Sequence, residues 1–329
     1  MKSRYLLGAA LLLTASRAFA LNILLTNDDG LTSNVKALYE ALKAKGHDVI
    51  VSVPCTGQSG MGAAVKYFSP LTPLSTSNAE RSTGGCLNGA ASAGDPGAGK
   101  MTRAGFNGGD YYYTNGTPVM ATLYGLDVVA VQRWGKAPDL VLSGPNEGQN
   151  VGTIVNGSGT VGNAQFAAAR GLPAIALSAD TNTTDNTGLA NPLSATVARL
   201  SVQLLDALQT KAAGGALLPT GLALNVNFPK DLSQPQWTFA RHGSYDIYAV
   251  RFVPSLAADP VAVAYGLGGY PYPGVSIATN TAAATAAQAQ DEAVVYQTRI
   301  AVTAMQVGFD HRPAGQEWLR LRLRDLLAQ

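Results

Sequence analysis

The sequence predicts a doubly wound, Rossmann-like α/β fold on a mostly parallel sheet, with a β-rich accessory region at its C-terminal end. Three observations predict it. Short, predominantly apolar runs at 22–26, 48–53, 140–142, 174–177 and 222–228 read as buried strands. Stretches with helical spacing alternate with them. Polar, glycine-rich clusters follow the apolar runs, where the turns at the carboxyl ends of parallel strands belong.

Taken in order, Lys2 and Arg4 precede an apolar run from Tyr5 to Thr14, and Ala18-Phe19-Ala20 places small residues at cleavage positions. Residues 1–20 are therefore expected to be a secretory signal peptide, too short in its apolar run to span a bilayer, and the mature protein to be periplasmic or secreted and free of the membrane. Removing Lys2, Arg4 and Arg17 takes the formal net charge from +2 to −1. A near-neutral chain with 13% charged residues lacks the clustered Lys and Arg of a nucleic-acid duplex binder. About 309 mature residues suffice for a sizeable core in one α/β domain or two smaller ones.

The run at 22–26 is the first strand, ended by Asn27-Asp28-Asp29-Gly30. Residues 31–45 carry Val35, Leu38, Tyr39 and Leu42 on one side and form a helix that Gly46 stops. Residues 48–53 are a second strand, closed by Pro54 and parallel to the first through a right-handed crossover. The segment 70–110, poor in large apolar residues, is an insertion or long loop. Beyond it come a short strand at 111–113, a helix over 117–131, a strand at 140–142 ending in Ser-Gly-Pro-Asn, a helix at 161–170, a strand at 174–177, a helix at 192–208 and a strand ended by Pro229. The catalytic domain thus spans 21–230. Residues 231–329 form an accessory or oligomerisation region with β character at 245–254 and 294–304, turns at 266–275 and a closing amphipathic helix at 316–327. Cys55 and Cys86 are the only cysteines; an oxidising compartment permits a bridge, but sequence leaves their distance open.

Ligands of open α/β sheets bind beyond the carboxyl ends of the strands. Adjacent carboxylates there, Asp28 and Asp29, repel each other unless a cation or donors offset their charge. A hard divalent cation, Mg²⁺, Mn²⁺ or Ca²⁺, does so with oxygen ligands. Local turn and N-cap duty is the alternative for Asp-Asp-Gly. Ser59, after the second strand, and Asn146, in Ser143-Gly144-Pro145-Asn146-Glu147-Gly148-Gln149-Asn150, supply the uncharged oxygens the carboxylates lack. Ser158, Gly159 and Thr160 stand just before a helix, where hydroxyls and free N–H groups hold phosphate, or where Ser158 is simply a cap. No P-loop and no Gly-x-Gly-x-x-Gly after the first strand is present. Of His47, His242 and His311, His47 begins a strand and is structural, while His242 is a candidate substrate contact.

These clusters together resemble the survival protein SurE family, metal-dependent 5'/3'-nucleotidases. The matching blocks run from Ile23-Leu24-Leu25-Thr26-Asn27-Asp28-Asp29-Gly30 through Val53-Pro54 and Ser59-Gly60, Asn115-Gly116-Thr117-Pro118, residues 138–150, Ser158-Gly159-Thr160-Val161 and residues 171–178 to Leu224-Asn225-Val226-Asn227-Phe228-Pro229. The resemblance implies that Asp28, Asp29, Ser59 and Asn146 hold the metal ion, Mg²⁺ or Mn²⁺, and that Asn150 and Ser158 line the phosphate site. With Asp28 and Asp29 these are the expected catalytic residues. It further implies hydrolysis of nucleoside monophosphates or other phosphomonoesters by a homodimer or homotetramer built with exchanged C-terminal segments. The chain departs from the family pattern in the uncharged run Cys55-Thr56-Gly57-Gln58, in Glu147 beside the anion site, in Asn156-Gly157 before Ser158, in the length of 70–110 and in its signal peptide. Two rival readings follow from the same residues: a periplasmic nucleotide- or metal-binding module without turnover, and a serine esterase using Ser59 with His242.

Overall fold

A computed structural model of the chain describes residues 19–77, 84–310, 313–324 and 326; the expected signal peptide lies, apart from Phe19 and Ala20, outside the described residues. The strand β1 (Asn22–Thr26) leads through α1 (Ser33–Ala44) to β2 (Asp48–Pro54), and the two strands pair in parallel. Thr32 caps α1 by accepting the Val35 N–H at 3.3 Å. Then come β3 (Ala98–Lys100), β4 (Tyr111–Thr114), α2 (Pro118–Tyr124), a π turn at Gly125–Val129, α3 (Ala130–Trp134), β5 (Leu140–Glu147), α4 (Gly159–Ala169), β6 (Ala174–Ala179), α5 (Pro192–Ala212) and β7 (Leu222–Asn227). The remaining elements are β8 (Trp237–Ala240), β9 (Tyr248–Val253), the single turn α6 (Pro260–Ala262), β10 (Gly274–Thr279), α7 (Glu292–Val295), β11 (Ile300–Gln306) and α8 (Pro313–Arg322).

Nine strands form one sheet in the order β3-β4-β2-β1-β5-β6-β7-β11-β8. From β4 to β7 all neighbours are parallel, while β3 and β11 run antiparallel to β4 and β7. Successive residues of β1 explain its unbroken apolar run. Ile23 and Leu25 pack with Val35, Leu38 and Leu42 of α1 and Leu200 of α5, whereas Leu24 packs on the opposite face with Val161 and Ala164 of α4. Chain order moves outward from β1 to β2 and β4 and then returns to β1's other side at β5, which puts the topological switch point at the carboxyl ends of β1 and β5.

The structure corrects several expectations and decides one that the sequence leaves open. The strand expected to end at Leu142 continues to Glu147, because a register shift between Ser143 and Asn146 lets Asn146 and Glu147 pair again with Ser178 and Ala179. The segment 70–110 contains β3 and a turn at Leu87–Gly89. Residues 292–295 are helical, so the strand expected over 294–304 is β11 alone. Of the region after Asp231, β8 and β11 extend the main sheet and only the β9–β10 ribbon stands apart. Cys55 and Cys86 are bridged, with Cα atoms 4.6 Å apart. Among the described residues no helix is long and apolar enough to cross a membrane.

Candidate functional site

The acidic loop sits at the switch point and is held by its neighbours. Asn27 accepts the Gly30 N–H at 3.1 Å and donates to the Gly30 carbonyl at 2.7 Å, closing the turn locally. Asn163 of α4 donates to the Asn27 carbonyl at 3.1 Å and to Ser143 Oγ at 3.3 Å, which ties the ends of β1 and β5 to one helix. Asp28 is buried and Asp29 half-buried. Thr160 donates its hydroxyl to Asp28 Oδ1, and the Glu147 N–H donates to Asp29 Oδ2 at 3.0 Å. Burial pushes the Asp28 carboxyl above its ordinary range, against the hydrogen bonds of Thr160 and of the Gly159 and Thr160 N–H groups.

The N-terminus of α4 abuts this loop. A Cβ on Gly159 would lie 2.6 Å from Asp28 Cβ and 2.6 Å from Pro118 Cγ, so only glycine permits this approach. Ser158 Oγ accepts the Val161 N–H at 3.1 Å, so Ser158 does serve as the helix cap, and its hydroxyl proton is still able to serve a ligand. The positive end of the helix and its first N–H groups thereby point toward the acidic loop, an arrangement that favours an anion beside it. Thr160, expected at the phosphate, instead spends its hydroxyl on Asp28.

Asn146 comes from the bulged end of β5. Gly144, at φ +113°, makes the bulge possible, since a Cβ there would lie 2.0 Å from the Leu177 carbonyl oxygen. The Asn146 amide nitrogen donates to the Gly148 carbonyl at 2.7 Å, while its Oδ1 is buried with no hydrogen-bond partner among the described residues. An orphaned amide oxygen next to a carboxylate pair is a donor set of hard oxygens, and Asp28, Asp29 and Asn146 therefore fit a divalent cation. Ser59 lies exposed on the loop after β2, and that loop is drawn to the acidic pair by its neighbour Gln58, whose N–H donates to the Asp28 carbonyl at 2.8 Å. The Ser59 hydroxyl makes no hydrogen bond to His242 or Asp28, among the described residues, so no esterase pair is formed.

Asn150 is set by a network at the ends of β6 and β7. Its N–H donates to Asn227 Oδ1 at 2.7 Å, its side chain donates to Ser178 Oγ at 2.9 Å, and its carbonyl accepts from Asn225 and Asn227 at 2.9 and 3.0 Å. Glu292, 1% exposed, accepts from Asn225, from the Gly152 N–H and from the half-exposed His242. Hydrogen bonding to Glu292 raises the His242 pKa above its ordinary value. Asn225, Asn227, Ser178, Asn163 and Glu292 were missed as site residues; the alternation Asn225-x-Asn227 at a strand end, which places both amides on one face, was the available signal. Glu147 accepts from Asn186 at 2.7 Å, and burial pushes its carboxyl up to about 7. His47 accepts the Leu21 N–H at 3.1 Å in a buried structural position.

Fold and site together define a doubly wound α/β protein with an oxygen-rich acidic loop facing a helix N-terminus at the switch point. The family model of the survival protein SurE matches residues 23–247, and the chain belongs to that family. It is 34% identical to an acid phosphatase of Yarrowia lipolytica over 214 residues, 63% of this chain and 56% of that protein. It is 31% identical to a 5'-nucleotidase SurE of Thermosipho melanesiensis over 209 residues, 64% of this chain and 65% of that protein. The matches thus span about half to two thirds of the length of these curated relatives. The crystal structure of the SurE protein from Aquifex aeolicus superposes with a TM-score of 0.62 at 24% identity, covering 92% of this chain and 99% of that one, and has the same fold.

Proposed function

We propose that the chain is a divalent-cation-dependent phosphomonoesterase that hydrolyses nucleoside 5'- and 3'-monophosphates, with other phosphomonoesters as further substrates. The observation that carries the reading is the orphaned Asn146 Oδ1 beside the Asp28–Asp29 loop, opposite the N-terminus of α4. The acid phosphatase and 5'-nucleotidase names of its relatives support it. Asp28, Asp29, Asn146 and Ser59 would hold the cation, Mg²⁺ or Mn²⁺, which supplies positive charge to a phosphoryl oxygen.

The rest of the chemistry belongs to the chain's own groups. Thr160 and the Glu147 N–H orient the two carboxylates. Ser158, with its hydroxyl proton, and the positive end of α4 receive the phosphate and the charge that develops on it. Asn150, held at both its N–H and its carbonyl, presents its amide at a defined position. Phosphate release from AMP and p-nitrophenyl phosphate, with Mg²⁺ or Mn²⁺ and then with chelator, tests the reading. Activity is expected to vanish on chelation and in Asp28→Asn; full activity in either case overturns it, and tight nucleotide binding without phosphate release favours the non-catalytic module instead.

The same proposal places the protein in the periplasm or outside the cell as a homodimer or homotetramer. The composition of residues 1–20 and the Cys55–Cys86 bridge support export. Exposed Val250 and Phe252 on β9, Val275 on β10 and Trp318 on α8 are apolar surface that a partner copy would cover. Light scattering of the purified protein and fractionation of the expressing cell check both.

A further inference from the structure

The two halves of the Cys55–Cys86 bridge lead to opposite ends of the acidic loop. Cys55 opens the loop after β2, and in that loop the Gln58 N–H donates to the Asp28 carbonyl at 2.8 Å. Cys86 precedes the turn Leu87–Gly89, whose Leu87 N–H donates back to the Cys55 carbonyl at 2.7 Å. A Cβ on Gly30 would lie 3.6 Å from Leu87 Cδ2, which puts the Leu87 side chain against the Asp-Asp-Gly turn. The next residue, Asn88, donates its side-chain N–H to the Leu31 carbonyl at 2.8 Å. Segment 84–91 thus holds the far end of the loop whose near end Gln58 holds.

That segment has few apolar anchors. Its buried apolar side chains are Cys86, Ala90 and Ala91, which remove little apolar area from water. Asn88 stands in the left-handed region at φ 50°, a conformation that Asn tolerates better than most residues. Arg103 donates to the Asn88 carbonyl and steadies the turn from its other side. The turn therefore presents the Asn88 amide to the acidic loop, and the covalent bond to Cys55 is what fixes the turn to the end of β2.

We propose that Asn88 is a positioning residue for the cation site and that the Cys55–Cys86 bridge puts it in place, so that cation affinity depends on oxidation of the chain. The inference rests on the cation reading of the Asp28–Asp29 loop. Closing the bridge takes two electrons and two protons from the two thiols, and a partner disulfide accepts them and departs as two thiols. With the bridge open, segment 84–91 and the Ser59 loop rely on hydrogen bonds such as that from Leu87 to Cys55, and the Leu31 carbonyl loses a fixed donor. The carboxylates are then less well preorganised and hold a cation less tightly. A chain still in a reducing compartment is a weak hydrolase, and one that has reached an oxidising compartment is a competent one.

The test uses calorimetry with Mn²⁺ alone. Oxidised wild type is compared with Asn88→Gly, which keeps the left-handed backbone and removes the amide, and with Cys55→Ser combined with Cys86→Ser. Each variant is expected to bind Mn²⁺ about ten-fold more weakly. The Mn²⁺ concentration for half-maximal phosphate release from AMP should rise in the same proportion, with kcat at saturating Mn²⁺ retained. Leu205→Ala, in the core on α5, is expected to lower the thermal midpoint and leave Mn²⁺ affinity unchanged, which separates lost stability from lost positioning. Wild-type affinity in Asn88→Gly overturns the positioning role, even where the double variant fails to fold. Wild-type affinity in a folded double variant overturns the dependence on oxidation. Oxidised wild type that binds no Mn²⁺ and releases no phosphate overturns the cation reading on which both rest.

Discussion

Gly159→Ala sets two well-characterised effects against each other. In the first turn of α4, alanine in place of glycine should stabilise by up to about 1 kcal/mol through backbone entropy. The added Cβ, however, would stand 2.6 Å from Asp28 Cβ, 2.6 Å from Pro118 Cγ and 3.1 Å from Asp28 Cγ. Carbon atoms settle about 3.5–4.0 Å apart, so the helix end and the acidic loop must separate by roughly 1 Å. Overpacking of this kind costs about 1–3 kcal/mol, which matches or exceeds the entropic gain and leaves a net loss of up to about 2 kcal/mol. The same displacement moves Asp28 away from the anion-facing end of α4, and a misplacement near 1 Å lowers a rate by up to about 100-fold. A thermal melt and a phosphate-release assay on AMP measure the two losses. Gly99→Ala on β3, where the nearest neighbour of a Cβ is Tyr113 Oη at 4.0 Å, is the control and should be near neutral. Were Gly159→Ala as stable and as active as wild type, the close contact between α4 and Asp28 could not be what organises the site.

The Cys55–Cys86 bridge closes a loop with a sequence separation of 31, so Cys55→Ser with Cys86→Ser should lower stability by about 3–4 kcal/mol, read by urea denaturation; equal midpoints for oxidised and variant protein would contradict this. Asn227→Ala removes both the acceptor for the Asn150 N–H and a donor to its carbonyl, with an expected loss of about 1–3 kcal/mol and a drop in activity, since Asn150 is then loosely held. His242 has a folded-state pKa raised by Glu292 above its ordinary 6.5, so this contact stabilises fully below about that pH and is lost as pH rises through the folded value. An NMR titration should show the His242 pKa falling in Glu292→Gln, and an unmoved value would show that Glu292 is not its cause.

Those parts of the fold that are buried on both faces were legible from local pattern. The Ile23-Leu24-Leu25 run, the Thr32 cap, the Ser158 cap and the Asn191-Pro192 start of α5 each carry a signal within a few residues. Elements at the sheet margin carry less. Exposed Phe239 on β8 and Val275 on β10 blur the alternation that would mark a strand, and Val294-Val295 reads as β although Asp291 and Glu292 start a helical turn there. At β5 the Ser143-Gly144-Pro145 breaker is real, but pairing resumes beyond it, which only the partner strand β6 reveals. The site follows the same division. Asp28, Asp29 and Asn146 stand in turns after predicted strands and Ser158 just before a predicted helix, whereas Glu292 reaches Asn225 across 67 residues of sequence and leaves no local trace.

That long-range contact bears on the C-terminal region. Glu292 is a buried carboxylate, and such a group is tolerated when donors surround it. Here the donors are the Gly152 N–H, Asn225 and His242, two of which come from the α/β half of the chain. Asn225 in turn uses the same nitrogen to hold the Asn150 carbonyl. Removing residues after 231 would therefore take away an acceptor for Asn225 and for Gly152, uncover the edge of β7 that β11 pairs with, and leave the Asn150 loop with fewer supports. A chain ending at 230 is thus expected to lose the geometry around Asn150, on the proposed phosphate side of the candidate site, even if β1 to β7 still fold. Through Glu292 the region after Asp231 is hydrogen-bonded into the candidate site, in addition to any surface it offers a partner.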